Sequence, residues 1–417
     1  MPDESPKADD VKQRIGTGGV TIQAKSADLK PVWNVVSEKS VLDITESGSI
    51  RGTLSDVKGK IYSKSEVASR FTADNAFADQ KKQSLELSSN VQLIDSTGLQ
   101  KLTAKAVTWI AEIKMVQAKG DVRFFGPNIE TDPMEVIWCT PDLKTFGTPT
   151  TFKDNPTMKK WIAPFLTASL AAVSLSQTDG NSNMVLKFAT WQADTSVQNQ
   201  ISFVITGKPA SGVWKGQGLS TTAQKIQGTA IKGTKGYYLS KAIFSGGVRT
   251  TKTSKSADGS RTTVLTSGAA DFVGNETKGT LGLSDNIAVT SSLADGTQWM
   301  QLTGSRGSFV MDMSAGATSQ IQSGELFGPI TMRLKSSRIV NGKKELSDIS
   351  GSASQIQIVE GGREIRLVGG VILSGTGPAF AGSMKANMIR ITTDAKGKIQ
   401  SVYAEGEPGQ GEFRETP

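Results

Sequence analysis

Glu325, Glu364 and Glu405 are carboxylates of the kind that serve in pairs at a glycosidic bond, one as acid and one as base or nucleophile. All three fall at strand or turn positions of a repeating pattern, so a solvated outer face is their expected place. The stretch Gly246–Lys252, GGVRTTK, sets glycines beside basic residues as a phosphate cradle does. It lies in strand-like alternation, however, and not at a strand-to-helix turn. Lys and Ser abound, yet no Ser-x-x-Lys stands beside a partner set. The chain has no histidine, which removes imidazole acid–base chemistry, Ser–His triads and His metal sites. Its single cysteine, Cys139, excludes an intrachain disulfide and a multi-cysteine zinc site. In VIWCTP the alternation buries that thiol as an inert group. The residues therefore point away from an enzyme, and call for no cofactor and no metal.

What remains is architecture. A chain of 417 residues with 37% hydrophobic and 21% charged residues has ordinary globular values and room for two or three domains. Forty-four glycines and many Ser and Thr suit short strands joined by tight turns. The net charge of +8 favours an anionic partner: nucleic acid, anionic lipid or a phosphorylated glycolipid. Lys and Arg are spread along the chain, with no basic helix, zinc-finger spacing or aromatic-basic signature of an RNA-binding sheet. Nucleic acid is accordingly not an expected partner.

Residues 1–30 read as a flexible tail, the first twenty being polar without an apolar core. From Pro31 period-two alternation begins, and few windows show helical periodicity, so the fold class is all-β. One nine-residue pattern occurs three times: LELSSNVQL (Leu85–Leu93), LGLSDNIAV (Leu281–Val289) and IRLVGGVIL (Ile365–Leu373). Large apolar residues hold positions 1, 3, 7 and 9, which share one face of a strand. Asn or Gly at position 6 tolerates a bulge that would curve the sheet. A small-residue segment precedes each copy, and second and third strands follow; AIFSGGVRT (242–250) is a partial copy. Units of this kind stack, each burying its apolar face on its neighbours. The expected architecture is a set of repeated antiparallel strands curved into a sandwich, barrel or folded-over trough with an apolar interior.

MKKWIAPFLTASLAAVSLSQ, Met158 to Gln177, breaks the pattern. Two lysines precede an uncharged run and then small residues, as in a secretory signal peptide, although it stands in mid-chain. It is short for a transmembrane helix, which needs about 20 apolar residues. A buried helix or linker is the other reading. Either way it marks the domain boundary, and residues 156–180 are set apart as a linker or internal signal-like segment.

The repeating unit, a small segment followed by L-x-L-x-x-N-V-x-L, L-x-A-x-x-V-x-W and A-x-G-x-V, resembles the periplasmic bridge proteins of lipopolysaccharide transport. These are the LptC, LptA and OstA-like domains. Residues 31–155 resemble the LptC type through PVWNVVSEKSVLDI (31–44), SRFTADNAFADQKKQSLELSSNVQL (69–93) and LTAKAVTWIAEIKMVQAKGDVRFFGP (102–127). Residues 181–417 resemble LptA-type repeats through YYLSKAIFSGGVRTTK (237–252), LGLSDNIAV and the stretch from IRLVGGVIL onward. The resemblance implies an open-edged β-jellyroll that shields the acyl chains of lipopolysaccharide or a related glycolipid. It implies a periplasmic location, stacking on other bridge proteins through sheet edges, an inner-membrane ABC transporter and an outer-membrane translocon. LptC-type proteins usually open on an anchoring helix, and none precedes Trp33 here. Carried over position by position, the lipid-binding candidates in the first part are Leu85, Leu87, Val91, Leu93, Leu102, Val107, Trp109, Val122 and Phe124. In the second they are Phe244, Val248, Leu281, Leu283, Ile287, Val289, Leu302, Phe309, Ile365, Leu367, Val371, Leu373, Met384, Ile389 and Ile391. Two other readings stay open: a structural or adhesive repeat with a filled core, and a carbohydrate-active β-solenoid.

Overall fold

The computed structural model describes residues 11–46, 48–126, 129–152, 158, 171–175, 184–214, 219–234, 236–256, 259–312, 321–340, 343–359, 363–377, 381–393, 399–405 and 410–413. It is almost entirely antiparallel β; among the described residues one turn of 3-10 helix, Pro149–Phe152, is the only helical piece. The chain forms two compact units. Unit 1 is Met1–Thr178 with Lys187–Ile205, and unit 2 is Asp179–Leu186 with Thr206–Pro417.

Unit 1 contains β1 (Val11–Lys25), β2 (Pro31–Thr45), β3 (Ile50–Ser63), β4 (Glu66–Asp79), β5 (Ser84–Asp95), β6 (Lys101–Ile110) and β7 (Met115–Gly126). It continues with β8 (Ile129–Thr131), β9 (Met134–Cys139), β10 (Thr145–Gly147), β11 (Ala171–Leu175) and β13 (Thr190–Asp194). β12 (Met184–Phe188) and β14 (Gln200–Trp214) carry the chain between units. From β1 to β7 each strand pairs antiparallel with the next; β7 then pairs with β9, β9 with β10 and β10 with β13. Unit 2 is a second meander: β15 (Leu219–Gly233), β16 (Gly236–Ser256), β17 (Gly259–Gly274), β18 (Lys278–Leu293), β19 (Gln298–Asp312), β20 (Ile321–Val340), β21 (Lys343–Val359), β22 (Glu364–Thr376) and β23 (Gly382–Thr393). β24 (Ile399–Glu405) and β25 (Gln410–Phe413) both pair with β23.

The bend comes from the repeated motif itself. Its fifth and sixth residues, Ser89–Asn90, Asp285–Asn286 and Gly369–Gly370, all take left-handed φ, and the strand register slips at each pair. Gly246–Gly247 on β16 and Gly120–Asp121 on β7 do the same, so the partial copy at 242–250 is a full structural equivalent. Extra residues on one strand kink it and sharpen its twist, and Gly, Asn and Asp enter the left-handed region at least cost. The corners fall on alternate strands and line up in register, which produces a crease across the sheet.

In unit 1 the crease folds the sheet back on itself. Gln23 shares a cross-strand row with Asn34, Lys60 and Arg70. Gln80 lies ten residues beyond Arg70, about 33 Å along an extended strand. Yet Gln80 Nε2 donates to the Gln23 carbonyl at 2.9 Å. Gln83 Nε2 donates to the Lys25 carbonyl, and Trp33 Nε1 donates to the Gln83 carbonyl, each at 2.9 Å. The far ends of the two legs therefore meet.

One expectation needs correction, and two others gain detail. Residues 11–25, read as part of a flexible tail, form β1, paired along its length with β2. Its sequence looks tail-like because it is an outermost strand with few buried positions, Ile22 and Ala24 among them. The division between units also falls later than the expected boundary. Residues 187–205 belong with unit 1 because β13 pairs with β10. Of the signal-like segment, Met158 is buried beside Ile110, Met115, Val136 and Trp138, and Ala171–Leu175 is β11, paired with β8. The rest of Met158–Gln177, Trp161 included, lies outside the described residues.

Candidate functional site: an inward apolar face

Alternation puts one face of each strand inside and the other in water, and the register ties the inside residues into rows. In unit 1 the row Phe71–Leu93–Leu102–Phe124 runs across four strands. On the other side of the crease, Ala78, Leu85, Trp109, Val116, Cys139 and Phe146 form a second row. Every residue of both rows is at least 96% buried. With no α-helix among the described residues to cover it, a sheet face reaches such burial by folding onto itself.

At the β7–β13 end the two legs of unit 1 touch directly. Phe124 stacks on Phe146 with ring centroids 3.9 Å apart, although their rows are eight residues apart along β7. Trp191 meets Phe146 edge-on at 4.8 Å and stacks with Phe188 at 5.7 Å. Four aromatic rings thus fill the interior where the first-part candidates end. The buried indole N–H of Trp109 finds no acceptor.

Unit 2 builds a longer wall. Phe244, Ala270, Leu283, Gly307, Leu326, Ile356, Leu367 and Ile389 make one row across eight strands. Across the crease, Leu265, Val289, Leu302, Met332, Gly351, Leu373 and Met384 make another. Large side chains fill the space left by small ones. A Cβ on Gly324 would meet the Phe309 ring at 2.3 Å, and one on Gly304 would meet Leu326 at 2.6 Å. In the outermost row, Phe272, Leu281, Phe309, Gly324, Ile358, Ile365, Ile391 and Val402, four members, Leu281, Ile358, Ile365 and Val402, keep accessible surface, as Leu265 and Val289 do in the row across the crease.

All nine candidates in unit 1 are buried on the inward face. In unit 2, Phe244, Val248, Leu283, Ile287, Leu302, Phe309, Leu367, Val371, Leu373, Met384, Ile389 and Ile391 are buried, whereas Leu281, Val289 and Ile365 are half-buried. The register brings them together in pairs: Leu85 with Trp109, Leu281 with Phe309, Ile365 with Ile391. Sequence reading missed the walls of β2–β4 (Trp33, Val35, Leu54, Ile61) and of β20–β21 (Leu326, Ile330, Met332, Ile349, Ile356). The signal was present as alternation, but these strands lack the nine-residue spelling. It also missed the rings that join Phe124, namely Phe146, Phe188 and Trp191, which come from strands of three to five residues.

The polar candidates lie elsewhere. Glu325 accepts from Gln357 Nε2 at 3.4 Å, Glu364 pairs with Arg366 at 2.5 Å and Glu405 with Arg390 at 3.1 Å, all on the outward face. Cys139 is fully buried in the unit 1 wall, and burial pushes its thiol well above the usual range, which leaves no thiolate for attack. The crease of unit 1 is charged and exposed. Asn90 donates to Asp74 at 2.7 Å, and Lys105 pairs with Asp121 at 2.5 Å, which holds the Asp121 carboxyl below its ordinary value. In unit 2 the crease carries Gly246–Gly247, Gly328 and Gly369–Gly370. A comparison with protein-family models finds no match, and a comparison with curated proteins finds none either.

Proposed function

We propose that the chain is a non-enzymatic carrier that shelters the acyl chains of lipopolysaccharide or a similar glycolipid in a folded-over, jellyroll-like β-trough. Its setting would be the periplasm, between an inner-membrane ABC transporter and an outer-membrane translocon, with other bridge proteins joined through sheet edges. One observation carries the reading. The inward face of unit 2 is apolar across eight strands, and half of its outermost row, Leu281, Ile358, Ile365 and Val402, is only half-buried. A wall of this kind takes a flexible chain without a preformed polar site. Each buried CH₂ contributes about 0.8 kcal/mol, so a twelve-carbon chain gains roughly 10 kcal/mol on leaving water, before binding costs. Successive rows are chemically alike, which lets a chain slide with little change at each step. Direction must then come from the transporter.

The ring cluster of Phe124, Phe146, Phe188 and Trp191 favours a second reading for unit 1 alone, a structural repeat with a filled core. In-cell photocrosslinking separates the two. A photoreactive residue at Leu281, Leu283 or Leu367 is expected to capture glycolipid, and one at Gly282 or Arg366, on the outward face, is not. No label at either set, with the protein intact and exported, would establish the filled-core repeat for the whole chain.

A further inference from the structure

Unit 1 contains one turn design twice. In Ser26-Ala27-Asp28-Leu29-Lys30 the first hydroxyl donates to the aspartate at 2.5 Å, and the Leu29 N–H donates back to the Ser26 carbonyl at 2.9 Å. In Thr140-Pro141-Asp142-Leu143-Lys144 the same two bonds measure 2.6 and 2.9 Å. The leucine takes left-handed φ in both, 63° and 58°. The matching slot holds Gly48, Gly98 and Gly296 in three other turns and the polar-ended side chains of Gln83 and Lys114 in two more. A leucine there strains the backbone and persists only where something else over-determines it. For Leu143 the compensation is visible, since its side chain is fully buried. Leu29 carries the same strain with its side chain 76% exposed.

The surroundings say what would cover it. Lys25 and Lys30 flank the turn, and the bonds from Gln80 and Gln83 to β1 lay Lys81 and Lys82 alongside; all four lysines are exposed. Against them stand Asp28, ion-paired with Lys30 at 2.9 Å, and Asp79, which is buried; Glu46 sits on the neighbouring β2–β3 turn. The excess is positive around one exposed apolar tip. An apolar tip that enters the acyl boundary, ringed by lysines that meet anionic headgroups, is the pattern of an interfacial membrane contact.

We infer that the β1–β2 turn docks unit 1 onto an anionic lipid surface, with Leu29 as the inserted residue and Lys25, Lys30, Lys81 and Lys82 as the headgroup contacts. This goes beyond the carrier reading and does not depend on lipid entering the interior. The test is co-sedimentation of the full chain with vesicles of phosphatidylglycerol and phosphatidylcholine, or of phosphatidylcholine alone. The parent is expected to bind the anionic vesicles and lose them at high salt. Leu29→Gly suits the left-handed slot, so its thermal midpoint should equal or exceed the parent's while vesicle affinity drops about tenfold. Lys81→Glu with Lys82→Glu should cost a similar factor. Leu346→Ala, which removes another exposed leucine, in unit 2, should change nothing. Equal binding by Leu29→Gly, or equal binding to neutral vesicles, would overturn the proposal. So would a parent dimer that Leu29→Gly dissociates, which would make a second copy of the chain the occupant.

Discussion

In unit 1 the row that begins at Phe71 ends in stacked rings, and glutamine side chains tie the far ends of the sheet together. In unit 2 the corresponding rows cross eight strands, and their outermost members Leu281, Ile358, Ile365 and Val402 remain half-exposed. Both units use the same nine-residue strand with the same left-handed corner. The difference lies at the end of the wall: in unit 1 short strands bring Phe146 and Trp191 inside, whereas in unit 2 Leu281, Ile358, Ile365 and Val402 keep some accessible surface. One repeat thus builds an interior closed by rings in one place and a buried wall with a partly accessible outer row in another, and the inward pattern alone does not distinguish them.

The largest effect is expected from removing a ring. Phe146→Ala should destabilise unit 1 by about 3–5 kcal/mol, since it removes two ring contacts and leaves a cavity. Leu281→Ala in unit 2 should cost clearly less, because its side chain already meets water. Cys139 provides the readout. Its buried thiol should be inert in the native protein and become alkylated at lower urea in Phe146→Ala, while amide exchange in β18 and β19 reports the smaller loss of unit 2 in Leu281→Ala. Equal losses of stability in the two variants would mean that the two interiors are packed alike.

A smaller effect is expected from the ties. Gln80→Ala with Gln83→Ala removes two side-chain hydrogen bonds to β1, worth about 1 kcal/mol each. Gln80 Oε1 also accepts from the Ile50 N–H at 3.3 Å, so faster amide exchange should be confined to β1, the β4–β5 turn and the start of β3, with the ring cluster still protected. Loss of protection throughout unit 1 would show that the ties, and not the rings, hold the legs together.

These features were unequally legible in the sequence. The strands, the inward set and the bend at the sixth position follow from period-two alternation and from the tolerance of Asn and Gly for left-handed φ. The ring cluster was not legible, because β10 spans only Thr145–Gly147 and three residues cannot display a period. The fold-back was hidden too. The two glutamine bonds join residues more than fifty positions apart and use side-chain amides that resemble any surface side chain. β1 was missed because an outermost strand needs few apolar residues, and VKQRIGTGGVTIQAK spends its glycines where the crease passes.

The smallest expected effect concerns acid. Asp43 in unit 1 bonds Arg14 at 2.6 Å and lies 3.7 Å from Arg51; Asp348 in unit 2 bonds Arg333 at 2.7 Å, with Lys335 at 3.8 Å. Each carboxyl is held below its ordinary value, first by the hydrogen bond from its arginine. A lowered native value means the stabilisation is present in full above the unfolded carboxyl range near 4. It is then lost as pH falls through the lower native value. The Asp43 side chain is 16% exposed and the Asp348 side chain 37%, so solvent screens the second pair more. Surface pairs contribute about 1 kcal/mol or less. Between neutral pH and pH 3, Asp43→Asn should therefore flatten the acid loss of stability of unit 1 slightly, while Asp348→Asn should leave that of unit 2 nearly unchanged. Urea titrations across that range, with Cys139 alkylation reporting unit 1, would measure it. A larger effect at Asp348 would mean that the outward face of unit 2 is better shielded from water than its open inner row suggests.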